Sequence, residues 1–485
     1  MKKQALILLS ALSILIASCG KDSTVSPNPP STGDPNTVEV TTDITTNTTW
    51  SASKIYLLNK IIYVTNGATL TIEAGTIIKG SKSVAGSGSL VITRGAKIYA
   101  VGTANNPIVF TSAQPAGQRA SQDWGGVILL GKAPVNQGLD NPIEGISAGN
   151  SSALYGGTDP ADNSGTMKYV RIEFAGVPLS PDNEINGLTF GGVGSGTTID
   201  YIEVYRAGDD SYEWFGGNVN CKHLMAIGGL DDDFDTDFGY SGKLQFCVGQ
   251  RYPTIADVSG SNGFESDNDG SGSDKTPKTS CVYSNMTMVG PLAGNTATTS
   301  TSNVNANYQH AAQIRRNSAL SCFNSVFVGY VDGIYIDNTK VTTAGSTAVN
   351  YTSGNLVFKN NIVGFIKNAS NAVKGDVVAG VDYKAMFEAG LRSSNIFDQT
   401  FFGADLITDP TKIATGFANA GIPNFLPKSG SLLATKASVF TDAKLTDPFF
   451  EKVTYLGAFG TTDWTAGWAN YDPQLLPYAT PGAVK

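Results

Sequence analysis

The strongest constraint on this 485-residue chain is an internal repeat. Residues 201–216 read Tyr-Ile-Glu-Val-Tyr-Arg-Ala-Gly-Asp-Asp-Ser-Tyr-Glu-Trp-Phe-Gly, and the pattern returns 22 residues later at 223–238. Ile202 falls on Leu224, Val204 on Ala226, Asp209 on Asp231, Asp210 on Asp232, Tyr212 on Phe234 and Glu213 on Asp235. One step further, Phe246 and Val248 occupy the same apolar positions. A short alternating strand followed by a turn cannot bury its apolar face alone. A period of roughly 20–30 residues therefore implies coils stacked into a solenoid, each burying its neighbour.

The pattern extends in both directions. Ile61–Val64, Thr69–Ile72, Leu90–Ile92, Lys97–Ala100 and Ile108–Ser112 are short apolar runs separated by Gly- or Asn-containing turns. Tyr169–Gly176 aligns with Tyr201–Gly208, so Val170, Ile172 and Phe174 should face inward and Tyr169, Arg171 and Glu173 outward. Later coils begin at Asn285, Asn324 and Asn360. Long polar excursions at 131–165, 252–280 and 291–307 read as insertions, and 382–425 breaks the pattern with a helix over 382–389 that ends at Gly390. Trp50 and Trp124 are expected in the core or covering the first coil. With 55 Gly and only 15 % charged residues, the chain suits a turn-rich extracellular β protein. A net charge of -8 argues against a nucleic-acid partner, whose phosphates need a basic face. The two histidines, His223 and His310, are too few for a His-rich zinc site, and His223 is expected as a member of a stack.

The first residues form a targeting segment. Lys2 and Lys3 precede an apolar run, Ala5–Ile16, and Leu15-Ile16-Ala17-Ser18-Cys19-Gly20 resembles a bacterial lipobox. That resemblance implies a signal peptide over 1–18, lipidation of Cys19 and a flexible tether over 19–37. The block Gly67-Ala68-Thr69-Leu70-Thr71-Ile72-Glu73-Ala74-Gly75-Thr76 resembles the first coils of right-handed parallel β-helices. Taken with Asp123-Trp124-Gly125-Gly126, the blocks at 169–176, 209–217 and 230–239, and the Gly457–Trp468 tail, the chain resembles outer-membrane lipoproteins of Bacteroidota built on that fold. The resemblance implies an all-β, right-handed parallel β-helix over 38–440, anchored at the outer membrane on the cell surface and expected as a monomer. It implies no assigned activity. The aromatic tail, 441–485, is expected to cap the last coil, because an open strand stack exposes edges and core. Cys221, Cys247, Cys281 and Cys322 are expected as buried thiols, although the compartment would permit disulfides.

The register stacks acids, and carboxylates one strand apart repel by roughly 3 kcal/mol at an effective dielectric of about 20. Asp231, Asp232, Asp233, Asp235 and Asp237 place five carboxylates in seven residues, a donor set suited to Ca²⁺ although not an EF-hand. The alternative is that these residues cap turns through backbone amides. Glu265 and Asp267 extend the acid row by one more coil. A catalytic reading, by analogy with the pectate lyases and polygalacturonases that share parallel β-helices, would use Asp209, Asp210, Asp232 and Asp235, with Arg206 as base or clamp. No Gly-His-Gly of the polygalacturonase kind is present. A binding reading would use Tyr205, Tyr212 and Trp214 as rings that stack on sugars, beside Glu213, unless these rings form an internal ladder. The preferred expectation is a non-enzymatic glycan-binding or adhesion module that uses Ca²⁺; the alternative is a polysaccharide lyase or glycoside hydrolase.

Overall fold

The computed structural model describes residues 34–82, 88–147, 149–180, 183–292, 304–340, 346–401 and 423–485. The signal segment and Cys19 lie outside these residues, as do parts of the 291–307 and 382–425 segments. Pro35–Lys485 is one compact unit. It is an all-β right-handed parallel β-helix. One face is a 10-stranded sheet stacked from Ile61–Val64 to Val373–Lys374, and a 19-stranded sheet forms the rest of the wall. The 22-residue register holds residue for residue: Ile202 pairs with Leu224, Val204 with Ala226, Tyr212 with Phe234 and Glu213 with Asp235. Inside runs one apolar core that includes Val170, Ile172, Ile202, Val204, Leu224 and Ala226. Cys221, Cys247, Cys281 and Cys322 are buried free thiols.

The wall turns at residues with left-handed backbone. Tyr169, Tyr201, His223 and Phe246 have φ of 51°, 54°, 50° and 59°; in later coils the same corner is Asn285, Asn324 and Asn360, at 56°, 54° and 57°. Asparagine tolerates this region, whereas a bulky residue is strained there by about 1–2 kcal/mol. Ring stacking offsets that strain in the early coils. Tyr169 lies on Tyr201 at 4.5 Å, Tyr201 on His223 at 4.2 Å, and His223 on Phe246 at 5.3 Å. His223 is thus the stack member expected. Phe174, expected inside, instead sits at a second left-handed corner with φ of 62° and packs in an outer cluster against Tyr205.

The C-terminal tail does not cap the stack. It runs along the outside of the corner file, back toward the first coils. Asn360 Nδ2 donates to the Ala437 carbonyl, Asn324 Nδ2 to Val439, and Asn285 Nδ2 to Tyr455. Trp464 meets His223 edge-on at 5.0 Å, and Trp468 meets Tyr169 and Tyr201. Tyr478 and Val484 bury against Ile55, Ile77 and Val109 near the start of the fold. The end of the stack is covered instead by the helix Tyr383–Ser394, longer than expected, N-capped by Asp382 and inserting Phe387 and Leu391 into the core. The tail's apolar side chains need the long corner file more than a single terminal coil, because their rings match its stacked aromatics. Among the insertions, 252–280 contributes a coil strand of its own, Phe264–Ser266. Among the described residues no helix is long and apolar enough to cross a membrane.

Charged residues seal the tail to the wall. Arg171 and Glu173, outward as expected, are buried beneath it and pair at 3.2 Å. Arg171 donates to the Trp468 and Val484 carbonyls and to Tyr478 Oη, which donates to Glu173. Buried charges are tolerated only when paired, and the pair with these carbonyls serves most of the group; Arg171 Nε and Glu173 Oε2 make no hydrogen bond among the described residues. Glu203 has no ion pair among the described residues. Its Oε2 accepts the Asn470 N–H at 2.9 Å, while Oε1 has no partner among the described residues. Burial, with repulsion from Glu173 working against Arg171 and the Asn470 amide, pushes its carboxyl up to about 8. An unfolded glutamate titrates near about 4.3. Between those values the folded chain keeps a proton that the unfolded chain has lost, so this stability is complete below about pH 4.3 and is lost as pH rises through about 8. The slope is up to about 1.4 kcal/mol per pH unit for one group. Denaturation midpoints between about pH 6 and pH 9 should therefore fall for the wild type, and fall less for Glu203→Gln; parallel profiles would contradict this assignment.

Candidate functional site

Strand alternation sets the chemistry of the 10-stranded face. In Tyr212–Phe215, Tyr212 and Trp214 point into the core and Glu213 points out. The inward rings form a continuous ladder, Trp214 stacking on Phe190 at 5.3 Å and on Tyr240 at 5.4 Å, and Tyr212 on Phe234 at 5.5 Å. Outward, register pairs build one row across successive coils: Thr189, Glu213, Asp235, Glu265, Gln313, Tyr335 and Lys374. The expected extension through Glu265 is therefore present. At the turn before each strand a second file runs Asp210, Asp232, Asn262. Asp210 Oδ1 accepts the Asp232 N–H at 2.7 Å, Asp232 Oδ1 accepts the Asn262 N–H, and Asn262 Oδ1 accepts the His310 N–H at 3.1 Å. Each side chain thus caps the amide of the next coil, so turn capping and clustering occur together.

Where the two files meet lies a cleft of about 450 Å³. Its coil wall carries Asp209, Asp210, Glu213, Asp231 and Asp235; two loops add Glu144 and Asp257, and a short hairpin strand adds Glu184. Ligand atoms of Asp209, Asp210 and Asp231 lie within 4.8 Å of one another, as do those of Asp210, Glu213 and Asp235. Local partners are few. Ser259 Oγ donates to Asp231 at 2.7 Å and Asn186 donates to Glu213. Asp231 Oδ1 and Asp235 Oδ1 are buried with no hydrogen-bond partner among the described residues. Burial and mutual repulsion push Asp231 up to about 8 and Asp235 to about 7, and hold Asp209, Asp210 and Glu213 well above the usual carboxylate range. One coil further the row is neutralised: Arg315 pairs with Glu265 and with Asp267 at 2.8 Å, and Arg316 with Asp267 at 2.6 Å. Among the described residues no ion pair reaches Asp209, Asp210, Glu213 or Asp235. The cleft wall is the stretch of the acid row without its own cations.

The structure sorts the expected site residues. Of the metal set, Asp231 and Asp235 line the cleft. Asp233 does not; it is fully buried and pairs with Arg251 at 3.2 Å. Asp237 turns back to accept its neighbour Phe238's N–H, and Asp232 is occupied with Asn262. Of the catalytic set, Asp209, Asp210 and Asp235 converge, whereas Arg206 lies on the tail side with Asp472 and Tyr252 among its electrostatic neighbours. Of the ligand-binding set only Glu213 reaches the cleft. Tyr205, Tyr212 and Trp214 are fully buried, which corrects the expectation of a sugar platform. Glu144, Glu184 and Asp257 carry no sequence signal, because they arrive on aperiodic segments outside the coils.

Capping and clustering make opposite predictions for two aspartates. Asp209→Asn keeps the shape and removes a carboxyl whose ionisation the cleft opposes, so in chelator at about pH 8 it should stabilise the protein by about 1 kcal/mol. Asp232→Ala orphans the Asn262 amide and should cost about 1–3 kcal/mol. Chemical denaturation of both variants checks the pair; equal losses would mean that both residues are caps.

Residues 42–395 match the family model described as a pectate-lyase like beta helix domain. Among solved structures, the Dettilon tailspike protein aligns with 75 % of this chain and 68 % of its own length, at 9 % identity and a TM-score of 0.27. No curated protein matches the chain.

Proposed function

We propose that this chain, which belongs to the pectate-lyase-like β-helix domain family, is a glycan-binding protein that engages its ligand at the acidic cleft through a divalent cation, Ca²⁺ in the first instance. The observation that carries the reading is the pair of carboxylate triads within 4.8 Å, set in a cleft whose wall acids Asp209, Asp210, Glu213 and Asp235 have no ion-pair partner among the described residues. Hard cations prefer oxygen donors, and Ca²⁺ takes six to eight of them. Asp209, Asp210, Asp231, Glu213 and Asp235 would hold the ion, and the buried, unpartnered oxygens of Asp231 and Asp235 fit that role. When bound, the cation supplies a charge to which sugar hydroxyls and carboxylates can bind. Glu144, Glu184 and Asp257 would set the width of the cleft mouth. With the aromatic platform buried, recognition rests on carboxylates rather than on ring stacking. Binding is preferred over cleavage because the base expected for a lyase, Arg206, lies on the tail side.

Location belongs to the same proposal. Lipidation at Cys19 and a tether over 19–37 would present the β-helix as a monomer at the outer-membrane surface, and Cys19→Ala should abolish fatty-acid labelling.

Two measurements test the function. Ca²⁺ should raise the melting temperature relative to EGTA, and Asp235→Asn should remove most of that difference. On a panel of acidic and neutral polysaccharides, retention should require Ca²⁺ and release no reducing ends or unsaturated sugars. Product release that disappears in Asp235→Asn would replace the binding reading with a hydrolase or lyase.

A further inference from the structure

The tail and the cleft lie against opposite ends of one loop. Residues 113–123 leave the strand Ile108–Ser112 and end beside Trp124. At the tail end, Gly117 N–H donates to the Gln474 carbonyl at 2.8 Å, and Gln474 Nε2 donates to the Arg119 carbonyl at 2.7 Å. Buried Arg119 donates to the carbonyls of Pro473 at 3.0 Å and Leu476 at 2.8 Å, and its guanidinium lies 4.9 Å over the Tyr478 ring. At the other end Gln122 is part of the cleft wall. Its N–H donates to the Ala175 carbonyl at 3.1 Å and its Nε2 to the Gly208 carbonyl, also at 3.1 Å, next to Asp209. A Cβ on Gly208 would lie 2.1 Å from Gln122 Cγ, so only glycine permits this approach. The loop between is stiff: Asp123 Oδ2 accepts from Ala120 N–H at 2.9 Å and from Ser112 Oγ at 2.7 Å.

Gln122 holds this position with φ of 68°. A non-glycine residue stays in that region only when its surroundings over-determine it. The tail's turn, Pro473–Leu475, fastens the same loop three to five residues earlier, at Gly117 and Arg119. Resting on the reading of the cleft as a cation-dependent site, we propose that Arg119 and Gln474 are positioning residues. Docking of the tail holds the 113–123 loop, which sets Gln122 and the Gly208–Asp209 backbone in the geometry that binds the ion. Coupling of this kind is reciprocal, so cation binding must tighten the tail by the factor by which the tail tightens cation binding.

The test uses the full chain and Ca²⁺ alone as the probe. Calorimetric titration of the wild type, Arg119→Lys and Gln474→Ala should show Kd raised about 5-fold or more in both variants. Gln474→Ala keeps the experiment informative if Arg119→Lys folds poorly. Amide hydrogen exchange over 474–478 should slow when Ca²⁺ is added to the wild type and should not respond in Asp235→Asn. A purely structural role for Arg119 would not make the exchange of a distant turn depend on the ion. Unchanged Kd in both variants, or tail exchange indifferent to Ca²⁺ while the wild type binds it, overturns the coupling and leaves the cleft reading standing. No Ca²⁺ binding by the wild type overturns both.

Discussion

From Tyr169 to Asn360 each coil of this protein turns a corner with its strands still in register, and it does so at a residue forced into left-handed backbone. That constraint organises much of what lies outside the core. In the later coils asparagine meets it at little cost, and the freed amides face outward. In the early coils Tyr169, Tyr201, His223 and Phe246 meet it with strain and recover the energy by stacking on one another. The result is a continuous file, amide at one end and aromatic at the other. The tail reads that file in order: asparagine side chains take its carbonyls, then the stacked rings take Trp464 and Trp468. Arg171 and Arg119 take the carbonyls that remain. A tail with little regular structure is thereby held by side chains of the wall rather than by a strand ladder.

The fold is legible in the sequence because between 201 and 238 nothing interrupts the 22-residue period, and residue pairs read from the repeat are the pairs in the sheet. The aromatic residues mislead for a reason that the same periodicity exposes. If Glu213 faces out, alternation sends Tyr212 and Trp214 in. Nearness in sequence to the acids is not nearness in space. The tail's place is hidden because composition shows that aromatics must be buried without showing against which surface. Glu144, Glu184 and Asp257 are invisible because segments outside the coils obey no period, and only the closed coils bring them to the same cleft.

The run of aspartates at 231–237 shows how one composition divides into different tasks. Asp233 turns inward and needs Arg251, because an unpaired charge there would cost several kcal/mol. Asp232 is consumed by an amide on the next coil. Asp231 and Asp235 face the cleft, where each leaves an oxygen without a partner among the described residues. Neighbouring positions therefore differ not in chemistry but in what the next coil offers them. The same holds along the acid row: Glu265 and Asp267 have arginines, whereas no described ion pair reaches Glu213 or Asp235.

A site of this kind is possible only on a scaffold that can carry its cost. Carboxylates one strand apart repel by roughly 3 kcal/mol a pair, and a small domain with total stability of about 5–15 kcal/mol would open rather than hold several. In a stacked β-helix each coil is pinned by the coils on either side, so local opening must break two interfaces at once. Here the coils are also pinned laterally, since the tail bonds to successive levels of the corner file and ends against the first strands. Repulsion concentrated at the cleft is therefore borne by packing distributed over the whole stack. The segments that bring further carboxylates to the cleft mouth are seated on the same wall, since Ile143, Ile146 and Ile185 beside Glu144 and Glu184 bury against Val91, Ile128 and Leu130.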